Sequence, residues 1–352
     1  MADTFDIPAH LDTGSCYLGK IDDKGDLRPP AGSPPVPNLN LLVSLCNVWP
    51  YGFTLALYNT RSHFFDFIGV APDRSDFVGA DSISRLNGGR YVVADQRGWG
   101  GKGGYTLFGA DLSIQACVDL GEDLDLHDAV PYRGGFALSL TASDQVVWKR
   151  DGKPDKVLYT TGSGADTVHV NGLTVHAGHI YASMFGPKTG DSWREAAGGQ
   201  IIDCVSGEVV ASGLYQPHTP VATADGLWVC ESGHSNVLFF DKAGTRHKVA
   251  GLRGYLRGLA VTPRYLVVGA SAVRRKSRHL GVNVDIKVND LHIEASRLYV
   301  IDRRTGDVWA RDIPHIGHEI FSVSLYTGAR RPSLASTLAA MQQRVYAASL
   351  RA

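Results

Sequence analysis

From about residue 40 to residue 326 the chain alternates short apolar runs with polar breaks. The runs are too short, and too rich in β-branched and aromatic residues, to read as helices. Gly226-Leu227-Trp228-Val229-Cys230 is followed by Val237-Leu238-Phe239-Phe240-Asp241, and Gly178-His179-Ile180-Tyr181-Ala182 by Gln200-Ile201-Ile202-Asp203. Arg264-Tyr265-Leu266-Val267-Val268 is likewise followed by Arg297-Leu298-Tyr299-Val300-Ile301-Asp302. Each pair predicts the second and third strands of a four-stranded sheet. The residue after the closing Asp starts a hairpin to strand four, as in Asp203-Cys204-Val205-Ser206-Gly207-Glu208. Each unit is entered by a strand that opens on a polar residue: Asp81, His127, His169, His218, Arg257 and Glu319. The intervals are 46, 42, 49, 39 and 62 residues. The first four match the repeat of propeller blades, about 40–50 residues. The last is long because residues 273–296 read as a polar insertion that covers one face.

Closure sets the number of blades. The last opening strand, Glu319–Leu325, has no partner strands after it, and the first strands, Leu41–Cys46 and Phe53–Asn59, have no opening strand before them. Joined, the two ends make one complete blade and remove the open edges of the ring. The predicted architecture is an all-β, six-bladed β-propeller closed by N- and C-terminal strands in one blade. Residues 1–38 form a Pro- and Gly-rich lead segment, expected to drape over the surface, and residues 39–332 the propeller. Residues 333–352 form a tail with Leu334, Leu338, Met341 and Val345 at helical spacing, which predicts one short C-terminal helix.

Composition is consistent with one large β domain: 352 residues, 44% hydrophobic, 40 of them Gly. Lys plus Arg and Asp plus Glu are equal at 35 each, so nothing electrostatic favours nucleic acid or an anionic membrane as partner. Arg274–Arg278 reads as a solvated loop. The five cysteines include no Cys-x-x-Cys pair, which argues against a disulfide framework or a structural zinc site. Met1–Asp6 has no basic region leading into an apolar run, and no run approaches about 18 apolar residues. The expectation is a cytoplasmic protein.

In a propeller the first strand of each blade lines the central channel, so six openings distant in sequence become neighbours at one mouth. Burying six polar side chains there requires compensating partners, water, a metal or a ligand. His127, His169, His218 and Glu319 are the candidate catalytic residues. They are also the candidate ligands for a divalent Zn, Mn, Fe or Ni ion. Without a metal, a histidine would act as general acid or base. Arg257 suits a substrate carboxylate or phosphate. Asp81, Asp128 and Asn171 would contact substrate from neighbouring openings. Arg97, Trp99, Trp193 and Arg194, in loops at corresponding places of their blades, would reach over the pocket. The stretch Asp95–Gly104 is Gly-rich but lacks both the phosphate-loop pattern and a following helix. His176, His179, His234 and His247 read as surface residues, and Cys46 as a small core residue. The competing reading is that the openings only hydrogen-bond to neighbouring blades and channel water.

These openings resemble an uncharacterised family of bacterial propeller proteins classed under a domain of unknown function. The elements that carry the resemblance are His127-Asp128, His169-Val170-Asn171-Gly172, Pro217-His218-Thr219-Pro220, Arg257-Gly258-Leu259-Ala260 and Glu319-Ile320-Phe321. Asp191-Ser192-Trp193-Arg194-Glu195 and Leu42–Asn47 are similar too. Thr219 replaces the usual Ser, and the 273–296 insertion is a departure. The resemblance covers about residues 40–332 and implies the propeller and the clustering, with no activity to carry over. Two functions follow. One is an enzyme of lyase, hydrolase or epimerase type on a small polar or carbohydrate-like molecule. The other is a ligand-binding or protein-scaffold propeller. A cluster of channel histidines is needed by the first and not by the second.

Overall fold

The computed structural model describes residues 16–28, 32, 34–46, 53–69, 77–97, 102–161, 164–188, 190, 193, 196–272, 293, 295–313 and 319–349. The lead segment supplies β1 (Cys16–Ile21) and β2 (Leu27–Arg28), followed by β3 (Asn40–Cys46), β4 (Phe53–Asn59) and β5 (Phe65–Gly69). Four blades come next: β6 (Phe77–Arg85) to β9 (Ile114–Asp123) through β7 (Tyr91–Arg97) and β8 (Lys102–Phe108); β10 (Leu126–Tyr132) to β13 (Lys156–Thr160) through β11 (Gly135–Leu140) and β12 (Gln145–Lys149); β14 (Val170–His176) to β17 (Val209–Leu214) through β15 (His179–Met184) and β16 (Gly199–Asp203); and β18 (Pro217–Thr223) to β21 (Arg246–Gly251) through β19 (Gly226–Glu231) and β20 (Asn236–Asp241). The chain ends with β22 (Tyr255–Val261), β23 (Tyr265–Ser271), β24 (Arg297–Asp302), β25 (Asp307–Asp312), β26 (Glu319–Leu325) and the helix α1 (Leu334–Ser349).

The strands pair into six sheets, one per blade. The seam blade has the order β26-β3-β4-β5, with Glu319 opposite Cys46 and Leu325 opposite Leu41, so the two ends of the chain close the ring as expected. The innermost strands β6, β10, β14, β18, β22 and β26 touch their neighbours in turn around the axis. Apolar faces of adjacent blades bury one another: Val130, Ala137 and Val146 pack on Val170, Leu173 and Ile180 of the next blade. Burial of each large aliphatic side chain there contributes about 1.5–3 kcal/mol.

The Asp that closes the third strand in three of the blades has a physical role. Its carboxylate accepts the backbone N–H two residues on, from Val205 to Asp203, Ala243 to Asp241 and Arg304 to Asp302, each at 2.9 Å. This turn satisfies a backbone donor while the chain reverses into strand four.

The ends of the chain differ from the sequence expectation in two respects. The lead segment does more than drape. β1 adds to the outer edge of β25, with Tyr17 opposite Trp309, and makes that sheet six-stranded. Tyr17 Oη donates to Asp307 at 2.9 Å, and Trp309 Nε1 to the Pro34 carbonyl at 3.0 Å. The tail helix forms where its periodicity predicts, but turned. Thr337 faces inward, its hydroxyl accepting the Phe65 N–H (2.9 Å) and donating to the Phe65 carbonyl, beside buried Ala340. Leu334 and Leu338 are left 51% and 47% exposed. The open edge of β5 offers unpaired backbone groups, and a hydroxyl satisfies them where leucine cannot. The 273–296 insertion lies, except for residues 293, 295 and 296, outside the described residues. No described helix is long and apolar enough to cross a membrane.

Candidate functional site

All six innermost strands carry a register shift near their start. The shifts fall between Ala80 and Ile83, Leu126 and Asp128, Val170 and Leu173, His218 and Val221, Leu256 and Leu259, and Ile320 and Val323. The extra residues at such a shift leave the ladder and re-aim their side chains. Aligned there, the first displaced residues are Asp81, His127, Asn171, Thr219, Arg257 and Phe321. His169, His218 and Glu319 therefore precede this position, although in sequence they align with Asp81, His127 and Arg257. Around the axis the displaced residues enclose a space of about 30 Å³ lined by Asp81, Ser82, His127, Asp128, Asn171 and Phe321, among others. That holds one or two waters.

The predicted openings do converge, and Phe321 is their hub. Its ring lies 5.5 Å from that of His127, 6.1 Å from that of His218 and 4.4 Å from the Arg257 guanidinium. His127 and His169 are edge to face at 5.1 Å. Phe185 bridges His169 (4.5 Å) and His218 (5.1 Å), and Tyr255 flanks His218 at 5.4 Å.

Each histidine has its own partner. His127 Nε2 is 3.4 Å from Asp125 Oδ2, and His169 Nδ1 is 3.0 Å from Asp166 Oδ1. Asp166 also accepts from Trp193 Nε1 at 3.1 Å, which holds the indole 5.0 Å from the His169 ring. His218 Nδ1 lies 2.8 Å from Ser232 Oγ and 3.2 Å from the Gln216 carbonyl. Ser232 gives its one hydroxyl hydrogen to the Leu256 carbonyl. Its oxygen must then accept from His218, so His218 carries its proton on Nδ1 and presents a lone pair at Nε2. Burial first, then the Arg257 charge, holds the His218 pKa well below its ordinary value. Burial also lowers that of His169, against the opposing pull of Asp166.

The structure takes Glu319 out of the expected set of metal ligands. Glu319 Oε2 is bound by Arg257 Nη1 at 2.8 Å in a nearly buried pair, so this carboxylate is not free to serve as a ligand. Among the described residues no three His, Cys, Asp or Glu side chains form a set that would hold a metal ion. The donors do not fit a divalent cation. Arg257 likewise has its charge matched by Glu319, so it is no ready receptor for an anion.

Other expected residues serve the fold at least in part. Asn171 bonds Gly172 N–H, Ser183 Oγ and the Pro217 carbonyl. Asp128 accepts from Ala129 N (2.8 Å) and, across the blades, Leu173 N (2.7 Å); burial raises its pKa to about 6. Asp81 is buried in the lining. Arg97 ends β7; Trp99 and Arg194 lie outside the described residues. His179, His234 and His247 are about half exposed, and Cys46 is in the core.

Asp125, Asp166, Gln216, Ser232, Phe185, Tyr255 and Phe321 belong to the site and were not among the candidates. One signal was present: an Asp stands two residues before His127 and three before His169. Backbone strain marks the same place. Asp125, Asp166, His169, Gln216 and Thr219 all have φ between 42° and 53°. For β-branched Thr219 this is a costly conformation, held between two prolines and by its hydroxyl on the Arg257 carbonyl.

A family model described as a domain of unknown function (DUF4915) matches residues 136–335. No curated protein matches the chain. Among solved structures, the nidogen/laminin complex matches with TM-score 0.53 at 13% identity, covering 82% of this chain and 98% of that one. A protein of unknown function from Bacteroides caccae matches with TM-score 0.52 at 12% identity, covering 83% and 100%. Virginiamycin B lyase from Staphylococcus aureus matches with TM-score 0.41 at 12% identity, covering 69% and 97%. The first two likenesses show the fold alone, and the third adds nothing to that.

Proposed function

This chain belongs to the family of the domain of unknown function DUF4915, and from that premise we propose that it is an enzyme moving protons on a small, neutral, carbohydrate-like molecule at the channel mouth. The observation that carries the reading is the pair of histidines, His127 and His169, with rings 5.1 Å apart and each beside its own carboxylate. Burial lowers the pKa of His169 and a charge on His127 lowers it further, so the pair favours one proton rather than two. One ring then acts as base while its neighbour acts as acid, the division of labour that lyase, hydrolase and epimerase reactions need. Asp166 holds Nδ1 of His169, which leaves Nε2 to trade the proton. His218 Nε2 accepts a hydrogen bond from a substrate hydroxyl. Neutrality of the substrate follows from charge: Arg257 is matched by Glu319, while Asp125 and Asp166 line the same mouth.

A second reading, a propeller that binds without catalysis, draws on the small axial space and on Asn171 and Asp128 being committed to the blades. The test is turnover of a panel of neutral sugars, sugar lactones and polyols in D2O, followed by NMR for product or C–H to C–D exchange. His127→Gln and His169→Gln are each expected to lower the rate by about 10²-fold or more. The enzyme reading fails if no member reacts or exchanges, or if both variants turn over at the parent rate.

A further inference from the structure

The seam blade carries a groove at the end of the disc opposite the channel mouth. β26 starts at the mouth with Glu319 opposite Cys46. At the far end of β3, Asn40 stands opposite Asn59. There Asn38, Asn40, Asn59, Arg61, Phe64 and Arg331 line a groove of about 340 Å³, within the size range of small-molecule sites.

Its hydrogen-bonding capacity leans towards donors. Asn59 Nδ2 donates to both Asn38 Oδ1 (2.8 Å) and Asn40 Oδ1 (2.9 Å). This orients both amides and leaves the NH₂ groups of Asn38 and Asn40 as donors beside an oxygen already in use. Asn59 Oδ1 is consumed by the N–H groups of Arg61 and Ser62 and the Ser62 hydroxyl. Arg61 chelates the Val36 carbonyl through Nε (3.3 Å) and Nη2 (3.2 Å), and Arg331 Nη1 donates to the Gly328 and Arg330 carbonyls. These neutral acceptors fix the two guanidinium groups without cancelling their charge. Asp66 on β5 is taken by Arg330 at 2.7 Å. Neither Arg61 nor Arg331 has an ion-pair partner among the described residues.

We infer that this groove binds a small organic oxyanion, a phosphate or carboxylate whose apolar part lies on Phe64 and Pro332. Two fixed guanidinium groups and a wall of N–H donors match an acceptor-only anionic group. The site is independent of the channel chemistry.

Binding to the full chain is measured by calorimetry with phenyl phosphate and benzoate, and with benzyl alcohol as the neutral control. At least one anion is expected to saturate, the alcohol is not, and added salt weakens binding. Phenyl phosphate binding tighter than benzoate assigns a phosphate; the reverse order assigns a carboxylate. Arg61→Gln and Arg331→Gln, both at exposed positions, each lower affinity by about tenfold or more, and His169→Gln leaves it unchanged. The inference is overturned if neither anion saturates, if the alcohol binds as well as the anions, if the double arginine variant binds as the parent does, or if His169→Gln abolishes binding.

Discussion

At the scale of single residues, the site stores its chemistry in protons that burial has displaced. The His218 pKa lies well below its ordinary 6.5, so below that pH the unfolded chain takes up a proton that the folded one refuses. The stability this residue contributes is complete above about pH 6.5 and is lost as the pH falls toward its lowered folded value. His218→Asn keeps an N–H donor at the Nδ1 position for Ser232 and removes the titrating ring. Urea unfolding between pH 5 and 8 is expected to show a flatter acid limb in this variant. Asp128 works in the opposite sense. Its pKa rises from 3.8 to about 6, so the stability it adds in acid is lost as the pH climbs through about 6. At 1.36 kcal/mol per pH unit this amounts to about 3 kcal/mol. Asp128→Asn is therefore expected to gain on the parent by up to about that amount between pH 4 and pH 8, read from denaturation midpoints. Asp166 raises the pKa of His169 against burial. In Asp166→Asn the His169 titration, followed by NMR of the ring nitrogens, is expected to move further down. An unmoved titration would remove Asp166 from its positioning role.

At the scale of the strand, the register shift makes the channel. One residue in β10 and two successive residues in the other five leave the ladder, and the next blade packs against them. Small residues sit where that approach is closest: a Cβ on Gly172 would lie 2.7 Å from Pro220 Cδ and 2.9 Å from Thr219 N, and one on Gly258 would lie 2.8 Å from Val323 Cγ2 and 2.9 Å from Val323 N. Gly258→Ala is expected to destabilise the fold by about 1–3 kcal/mol, measured by urea unfolding, because backbone has to move. Hydroxyls on the second strands tie blade to blade, Ser44 to the Asp81 carbonyl at 3.1 Å and Ser271 to the Ile320 carbonyl at 3.0 Å. The opening strands were legible in the sequence as apolar runs with a polar start. Their alignment was legible only in part, because a one- or two-residue shift leaves no mark in composition. His169, Asn171 and Gly172 all stand within one such opening, and only pairing with Met184 and Ala182 shows which of them leaves the ladder.

At the scale of the whole molecule, the seam blade closes the ring, and the lead segment covers the outer edge of β25. Deleting residues 1–28 is expected to leave a closed propeller by circular dichroism. It exposes Trp309 and the β25 edge, and so lowers Tm by a few degrees and promotes association on size exclusion. An unchanged Tm would mean that β1 adds nothing to stability. The blades, their number and the seam followed from the sequence because strand period, turn residues and the capping Asp are local, each working within a few residues of itself. The gathering of His127, His169 and His218 at one mouth followed too, since the topology of a ring brings strand openings together whatever their side chains do. What those residues do to one another was decided by tertiary structure alone. Glu319 stood in the sequence as a metal ligand and Arg257 as an anion receptor, and they became each other's partner across 62 residues. A buried charge takes whichever opposite charge the fold sets beside it, and that distance is settled only when adjacent blades pack.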